Sequence, residues 1–166
     1  MNSSQFLIQL QSSASVFRIK QLRSQLAAET NSAADYNSPG YEADFLSSEN
    51  THAMIRLKEA KTAGESELNE NEIISVRSLL EDYMDRFAPG QEKFKKYIVL
   101  ISLYLHFIEE KPFHPVGMRT EGDRILFFDG TYYRCPLKDI YSGDEKSLCT
   151  LCRAAGYSET KNKKEQ

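Results

Sequence analysis

The sequence predicts a mainly α-helical protein, in which a helical bundle carries a C-terminal β-hairpin and a short helix that form a cysteine-rich subdomain. Two observations predict this class. Apolar residues recur at the three- and four-residue spacing of amphipathic helices through the first two thirds of the chain. In the last third, aromatic runs flank the turn signal Asp129-Gly130, and the chain's three cysteines, Cys135, Cys149 and Cys152, follow that turn.

Three helices are predicted at the start of the chain. Apolar residues at helical spacing indicate a short helix over residues 6–10 and a second helix over residues 15–26, with Ser15 as its N-cap. Residues 30–40 break the pattern. Pro39 suits the first turn of a third helix through Leu57, whose apolar stripe is sparse. We expect most of the surface of this third helix to face water.

The two helices that follow are more strongly patterned. Residues 73–87 carry apolar side chains at helical spacing, and Pro89-Gly90 supplies the stop. Residues 94–108 are apolar on almost every side, which is typical of a helix surrounded by other helices. The helix over residues 94–108 is therefore predicted to lie at the centre of the bundle.

Beyond Lys111 the character of the chain changes. Asp129-Gly130 fits a two-residue hairpin turn, which would pair Leu126 with Tyr133 and place Cys135 near an apolar face. A short helix over about residues 144–155 is then expected to carry Cys149 and Cys152. The predicted organisation is a helical body over residues 1–111, the hairpin and cysteine helix over 112–157, and a disordered tail over 158–166.

Composition excludes several classes of function. Lys and Arg number 21 against 24 Asp and Glu, a net charge of −3, so sequence-independent binding to nucleic acid is not expected, because that mode depends on many cationic contacts to phosphate. The longest apolar run, residues 97–105, is far shorter than the roughly 18 residues of a membrane span. Residues 1–11 lack the pattern of a secretory leader. We expect a cytoplasmic protein without a membrane partner.

The cysteines predict a metal site. An odd number of cysteines in a reducing compartment favours thiols or a metal over a disulfide framework. Zinc takes four ligands in a tetrahedron, and soft thiolates and a neutral imidazole suit it. Cys149 and Cys152 form a Cys-x-x-Cys pair, Cys135 lies upstream, and His114 lies in a rigid, proline-flanked segment. The sequence therefore predicts a zinc-knuckle-like site made by these four residues.

Alternatives to this ligand set stay open. His106, Asp129 and Asp139 compete with His114 for the fourth position. The three cysteines also fit an iron–sulfur cluster or three buried free thiols. Four protein ligands would close the shell and make the zinc structural, whereas a catalytic zinc keeps a position for water.

Two residue pairs on the predicted helices offer an enzyme interpretation. Glu49 and His52 on the third helix, and His106 and Glu109 on the central helix, have the three-residue spacing found in di-iron carboxylate bundles. A solvated helix face explains Glu49 and His52 as well. No glycine-rich phosphate loop is present.

A thiol enzyme or a redox dithiol is a further alternative. Cys149 with His114 and Asp139 provides the residue types of an activated thiol. Cys149 and Cys152 also have the spacing of a redox pair, although the surrounding sequence lacks the alternating strands and helices of a thioredoxin-like fold.

The C-terminal region resembles a known family. The motifs that carry the resemblance are Phe113-His114-Pro115-Val-Gly117, Thr131-Tyr-Tyr-Arg-Cys135-Pro136-Leu-Lys-Asp139 and Ser147-Leu148-Cys149-Thr-Leu-Cys152-Arg153. They are similar to those of the uncharacterised archaeal proteins, mostly from methanogens, that are grouped as domain of unknown function 2115. The resemblance is strongest over residues 112–152. It implies an archaeal cytoplasmic protein, and it supplies no catalytic residues.

The function expected from these observations is a non-catalytic interaction module stabilised by structural zinc. Four tyrosines, Tyr132, Tyr133, Tyr141 and Tyr157, are predicted to form an aromatic rim that binds a partner protein. A metalloenzyme or redox protein that uses the cysteine cluster is the alternative. A nucleic-acid-binding zinc module is the weaker variant, and the apolar central helix leaves a homo-oligomer open.

Overall fold

A computed structural model describes residues 1–31, 40–120 and 124–157. The described chain is mainly helical, with a small antiparallel sheet near its C-terminus. The elements are α1 (Ser3–Ser13), α2 (Ile19–Asn31), α3 (Tyr41–Glu59), α4 (Glu70–Phe87), α5 (Glu92–Phe107), β1 (Phe127–Phe128), β2 (Tyr133–Arg134) and α6 (Pro136–Tyr141). The predicted class, a helical body followed by a C-terminal hairpin, is confirmed at this level.

The start of α2 differs from the prediction. Helix α1 begins with a capping box, in which the Asn2 and Gln5 side chains bond each other's backbone N–H groups. The chain then makes a 3-10 turn at Ala14–Val16, and Phe17 is extended. This geometry buries the Phe17 ring against Tyr97, with ring centroids 5.2 Å apart. The second helix therefore begins at Ile19 and not at the predicted N-cap.

Helix α3 agrees with the predicted third helix in extent. Its N-cap is Gly40, with a φ of 90°, a conformation that glycine adopts without strain. The predicted helix start at Pro39 and the predicted disordered tail at 158–166 lie outside the described residues. One face of α3 is buried through Thr51, Ala53, Met54 and Leu57, so the sparse stripe is sufficient to dock the helix.

The two strongly patterned helices are confirmed. Helix α4 buries Ile73, Val76, Leu80 and Met84 along one face. Helix α5 is buried on all sides from Val99 to Phe107 and packs against α1, α3 and α4. The central helix thus supplies the middle of the core, as its all-round apolar character predicts.

The hairpin has a different register from the predicted one. Phe127 pairs with Arg134, and Phe128 pairs with Tyr133. These pairs are shifted by two residues from the predicted pairs, so the loop is longer than the Asp129-Gly130 turn. A two-residue shift keeps every side chain on its face. Leu126 and Cys135 are accordingly both buried on the same side, as expected.

The Asp129 side chain accounts for the longer loop. Its carboxylate accepts hydrogen bonds from the backbone N–H groups of Thr131 and Tyr132, at 2.9 and 2.8 Å. The Arg134 guanidinium donates to it at 2.7 Å. These contacts hold the pKa of Asp129 at about 2, the backbone N–H of Tyr132 contributing most. Local side-chain bonds of this kind replace the tight two-residue turn.

The predicted cysteine helix is wrong. The helix in this region is α6, which begins at Pro136, directly after Cys135. The predicted span, residues 144–155, is irregular apart from a 3-10 turn at Leu148–Thr150. The C-terminal end of this span is extended instead, because Ala155 donates a backbone hydrogen bond to Tyr133 and accepts one from Cys135. None of the described helices is long and apolar enough to cross a bilayer.

Candidate metal centre

Cys135 lies at the start of α6. It is the N-cap residue of that helix and is buried, and its side chain makes no capping hydrogen bond. Burial raises the pKa of its thiol, and the nearby backbone N–H groups of Leu137 and Lys138 act in the opposite direction. N–H groups close to a sulfur favour its negatively charged form. The start of α6 therefore offers a polar environment to one thiol.

Cys152 has a similar environment. Burial, the largest effect, raises the pKa of its thiol, and the backbone N–H groups of Ala154 and Phe113 act in the opposite direction. The nearby Lys138 ammonium lowers the same pKa. Since burial dominates for Cys135 and Cys152, neither has the lowered pKa of an activated nucleophile.

Cys149 lies in the 3-10 turn that precedes Cys152. Ser147 caps this turn, its hydroxyl accepting the Cys149 N–H at 3.1 Å. The Lys138 ammonium then closes the turn from the side of α6, donating to the carbonyl oxygens of Cys149 at 2.5 Å and Cys152 at 3.0 Å. A single lysine thus links α6 to the Cys-x-x-Cys segment.

The structure brings the three cysteines into one neighbourhood. All three are free thiols, and the charges of Cys149 and Cys152 both raise the pKa of Cys135. The grouping is looser than a metal requires, however. Within residues 1–31, 40–120 and 124–157, no group of three or more His, Cys, Asp and Glu side chains lies close enough together to hold an ion.

His114 lies against a different cavity. It lines a space of about 200 Å³ with residues of α3 and α5, and none of the three cysteines lines that space. Burial lowers the pKa of its imidazole. The neighbouring Phe113 connects the two places, because its backbone N–H lowers the pKa of the Cys152 thiol. The role of His114 as fourth ligand stays a prediction.

The other candidates for the fourth ligand have roles of their own. Asp129 is held by its loop and by Arg134. Asp139 accepts the backbone N–H of Tyr157 at 2.9 Å. His106 is a core residue, its ring stacked on Phe113 at 5.5 Å. Contacts with described residues thus account for Asp129 and Asp139, whereas Nδ1 of His106 is buried without a hydrogen-bond partner among those residues.

The predicted di-iron ligands do not converge in the described structure. Glu49 and His52 lie beside each other on α3, 3.9 Å apart and partly exposed. Glu109 is bound by Arg56 through two hydrogen bonds and by Lys111. Those contacts place the Glu109 carboxylate in an ion-pair network, and this structural role is sufficient to explain the residue.

Sequence reasoning missed Lys138 and the backbone of Phe113. The available signal for Lys138 was weak: a lysine three residues after Cys135, behind a proline that suits the first helical turn. That position places its amine on the side of α6 that the Cys149–Cys152 turn contacts. The Phe113 N–H gave no signal, because backbone donors are not visible in residue types.

Gly156 is a position where the backbone passes close to Asp139. A Cβ added there would lie 1.9 Å from Asp139 Oδ1, so Asp139 must move and its bond to Tyr157 is disturbed. Gly156→Ala is expected to lower the free energy of unfolding by about 1 to 2 kcal/mol, as overpacking does. Urea denaturation followed by circular dichroism measures this change.

Gly143→Ala is the matched control, because a Cβ at Gly143 meets no atom within 4 Å. The double variant Asp139→Ala/Gly156→Ala should recover part of the free energy of unfolding that Gly156→Ala loses, because it lacks the clashing carboxylate. Equal effects of the two glycine substitutions would contradict the steric explanation.

His106 makes stability depend on pH. Burial, with a smaller contribution from the Arg153 charge, lowers its pKa from 6.5 to about 4; Glu72 of α4 faces Nε2 at 3.9 Å. The unfolded chain binds a proton that the folded chain does not, so stability is complete above pH 6.5 and is lost as pH falls towards 4. Linkage gives about 2 kcal/mol between pH 7 and pH 5.

Urea denaturation of the wild type and of His106→Gln, each at pH 7 and at pH 5, measures this effect. The variant is expected to show the flatter pH dependence, whatever its absolute stability. His52→Gln, an exposed histidine on α3, should keep the wild-type slope. Identical slopes for the wild type and His106→Gln would show that His106 does not titrate on unfolding.

Comparison with known proteins identifies the family. A family described as uncharacterised proteins conserved in archaea (DUF2115) matches residues 4–156. A UPF0305 protein of Methanocaldococcus jannaschii is 26% identical over 152 residues, which cover 89% of this chain and 90% of the relative. One from Methanococcus maripaludis is 34% identical over 118 residues, covering 68% and 69%.

A third relative, from Methanothermobacter thermautotrophicus, is 24% identical over 157 residues, which cover 92% of this chain and 94% of the relative. No solved structure shows a significant match. The names of these relatives state no activity, so the function has to be argued from the residues. Because the match spans nearly the whole chain, this protein belongs to the archaeal DUF2115 family.

Proposed function

We propose that this protein is a non-catalytic interaction module whose C-terminal subdomain is stabilised by one structural zinc ion. The observation that carries the proposal is the grouping of the three cysteines beside α6. Cys149 and Cys152 both raise the pKa of Cys135, and Lys138 of α6 donates to the carbonyl oxygens of Cys149 and Cys152. The backbone N–H groups that follow Cys135 and Cys152 act against the effect of burial and favour the thiolate form that zinc binds.

The ligands of the proposed site are Cys135, Cys149, Cys152 and His114. Cys149 and Cys152 already raise the pKa of Cys135. The fourth ligand lies one residue beyond Phe113, whose backbone N–H lowers the pKa of Cys152. Zinc binding requires this group to contract, with Cys149 and the His114 ring as the parts that move. A shell of four protein ligands leaves no position for water, which favours a structural role.

The surface beside this site supports an interaction role. Phe128 is 51% exposed, Tyr132 47% and Ile140 57%, and Phe127 and Tyr141 are also exposed. Two members of the predicted tyrosine rim, Tyr133 and Tyr157, are only half-exposed. Exposed apolar side chains grouped on one small subdomain are typical of a protein-binding surface. The proposed partner is a protein with a complementary apolar surface.

Metal analysis tests the zinc part of the proposal. Untagged protein, purified without added metal or chelator, is analysed by native mass spectrometry and elemental analysis. The expected result is about one zinc per chain. Iron in place of zinc would overturn the structural site in favour of the metalloenzyme or redox alternative. Protein without metal, even after incubation with equimolar zinc, would overturn the zinc site and leave three free thiols.

Site-specific cross-linking tests the interaction part. Tyr132 is replaced by a photoreactive benzoylphenylalanine in the native host, and Ile74, which is 64% exposed on α4, is replaced in the same way as a control. One discrete adduct is expected at Tyr132 and none at Ile74, and a Cys152→Ser background should abolish it. The same adducts at both positions would contradict a dedicated surface.

A further inference from the structure

A large cleft lies away from the cysteine subdomain. Helices α2 and α3 and the start of α5 enclose about 910 Å³, a volume within the range of about 300 to 1,000 Å³ that small-molecule sites occupy. None of Cys135, Cys149, Cys152 and His114 lines it. A ligand here would therefore bind independently of the proposed zinc site.

The cleft has an apolar floor and an apolar mouth. Phe17 and Leu22 are buried at its base, and the Phe17 ring meets that of Tyr97 edge to face. At the mouth, Val16 is 54% and Phe94 47% exposed. Large apolar side chains left open to water around a concave surface indicate a place for an aromatic or aliphatic group.

Two cations beside this floor have no carboxylate partner among the residues that the structure describes. Arg18 and Lys93 both line the cleft, and neither forms an ion pair with any described residue. The lining carboxylate, Glu92, acts on Lys95, which is itself paired with Asp85 at 2.7 Å. The cleft therefore keeps positive charge available for an incoming anion.

Two polar side chains of the cleft lining, Gln25 and Ser47, contact a carboxylate behind them. Both donate hydrogen bonds to Oε1 of Glu29, at 3.0 Å. The Glu29 carboxylate also raises the pKa of Tyr97, after the larger effect of burial. This negative charge disfavours an anion beside Gln25 and Ser47 and favours one at Arg18 and Lys93.

We infer that this cleft binds a small organic anion with an aromatic or aliphatic body, such as a carboxylate, sulfonate or phosphate monoester. The body lies on Phe17, Leu22 and Tyr97, and the anionic group meets Arg18 and Lys93. This inference is independent of the proposed zinc-stabilised interaction role, because it uses other elements and other residues.

Two matched probes test the inference. 8-Anilinonaphthalene-1-sulfonate carries a sulfonate on an aromatic body, and N-phenyl-1-naphthylamine has the same body without the charge. Both are titrated by fluorescence against the full-length protein. The sulfonate is expected to bind more tightly, and the double variant Arg18→Gln/Lys93→Gln should weaken it about tenfold while leaving the neutral probe unchanged.

Controls separate this cleft from other apolar surfaces. Lys20→Gln/Lys96→Gln removes two exposed lysines from α2 and α5 outside the cleft and should not change the affinity. Ala43→Trp fills the cleft and should weaken both probes, whereas Ala27→Trp, exposed on α2 outside the cleft, should weaken neither.

Three outcomes would overturn the inference. Equal affinity for the two probes would show that Arg18 and Lys93 do not contribute to binding. Unchanged binding to Ala43→Trp would place the probes elsewhere, such as on the exposed aromatics of the hairpin. Failure of both probes to bind would show that the cleft does not accept a ligand of this class.

Discussion

Cys152→Ser is expected to abolish zinc binding while leaving the helical body folded. The substitution removes a thiolate and leaves an oxygen that binds zinc poorly in this geometry. It also replaces the sulfur beside the backbone N–H groups of Ala154 and Phe113. Cys152 packs against the edge of the core around α5, and neither Cys135 nor Cys149 belongs to that core, so we expect the body to stay folded without the ion. Metal stoichiometry and hydrogen exchange measure the two effects.

The expected exchange pattern is specific. Protection should fall over residues 124–157 and stay unchanged in α4 and α5, because a metal that binds only the folded form stabilises the segment it ties together. Ser142→Ala, an exposed position at the end of α6, is the control and should keep both zinc and protection. Full zinc content in Cys152→Ser would sink the proposed ligand set.

The helical body was predictable because its periodicity is a property of each segment alone. Ile73, Val76 and Leu80 lie at helical spacing, and the structure buries all three. Tertiary packing does not compete with such a pattern. The start of α2 was less predictable, since Phe17 is withdrawn from the helix by its contact with Tyr97, and that contact joins residues distant in sequence.

The cysteine region was less predictable because its conformation is set by side chains that reach across it. A three-residue spacing places Cys149 and Cys152 on one face of an α-helix, but it suits a 3-10 turn equally well. The choice between them is made by Lys138, which binds both carbonyl oxygens. The spacing of residues in the sequence does not indicate such a hydrogen bond.

The position of His114 was unpredictable for a related reason. Phe113 occupies the core site beside His106, and the adjacent histidine then lines the cavity between α3 and α5. The sequence shows that an imidazole is available near the cysteines. It does not show which of two neighbouring side chains the core accepts.

Lys138→Met is expected to weaken zinc affinity by about 10- to 100-fold, the usual cost of losing a group that orients metal ligands. Methionine keeps most of the apolar stem and removes the donors to the carbonyl oxygens of Cys149 and Cys152. It also removes a positive charge that favours the Cys152 thiolate. In free energy the loss is about 1.4 to 2.7 kcal/mol. Competition with a chromophoric chelator measures it.

Lys146→Met is the matched control, since Lys146 is an exposed lysine between α6 and the Leu148–Thr150 turn whose side chain forms no ion pair with any residue the structure describes. Equal losses for the two variants would mean that net charge, and not the bonds of Lys138, governs affinity. Hydrogen exchange of the metal-free proteins tests whether Lys138 orders the turn before zinc binds. If Lys138 closes the Cys149–Cys152 turn by itself, Lys138→Met accelerates exchange at the Leu151 and Cys152 amides without zinc, because their bonds to Leu148 depend on the closed turn. The lysine then prepares the site before the metal arrives, and the affinity loss measures that preparation.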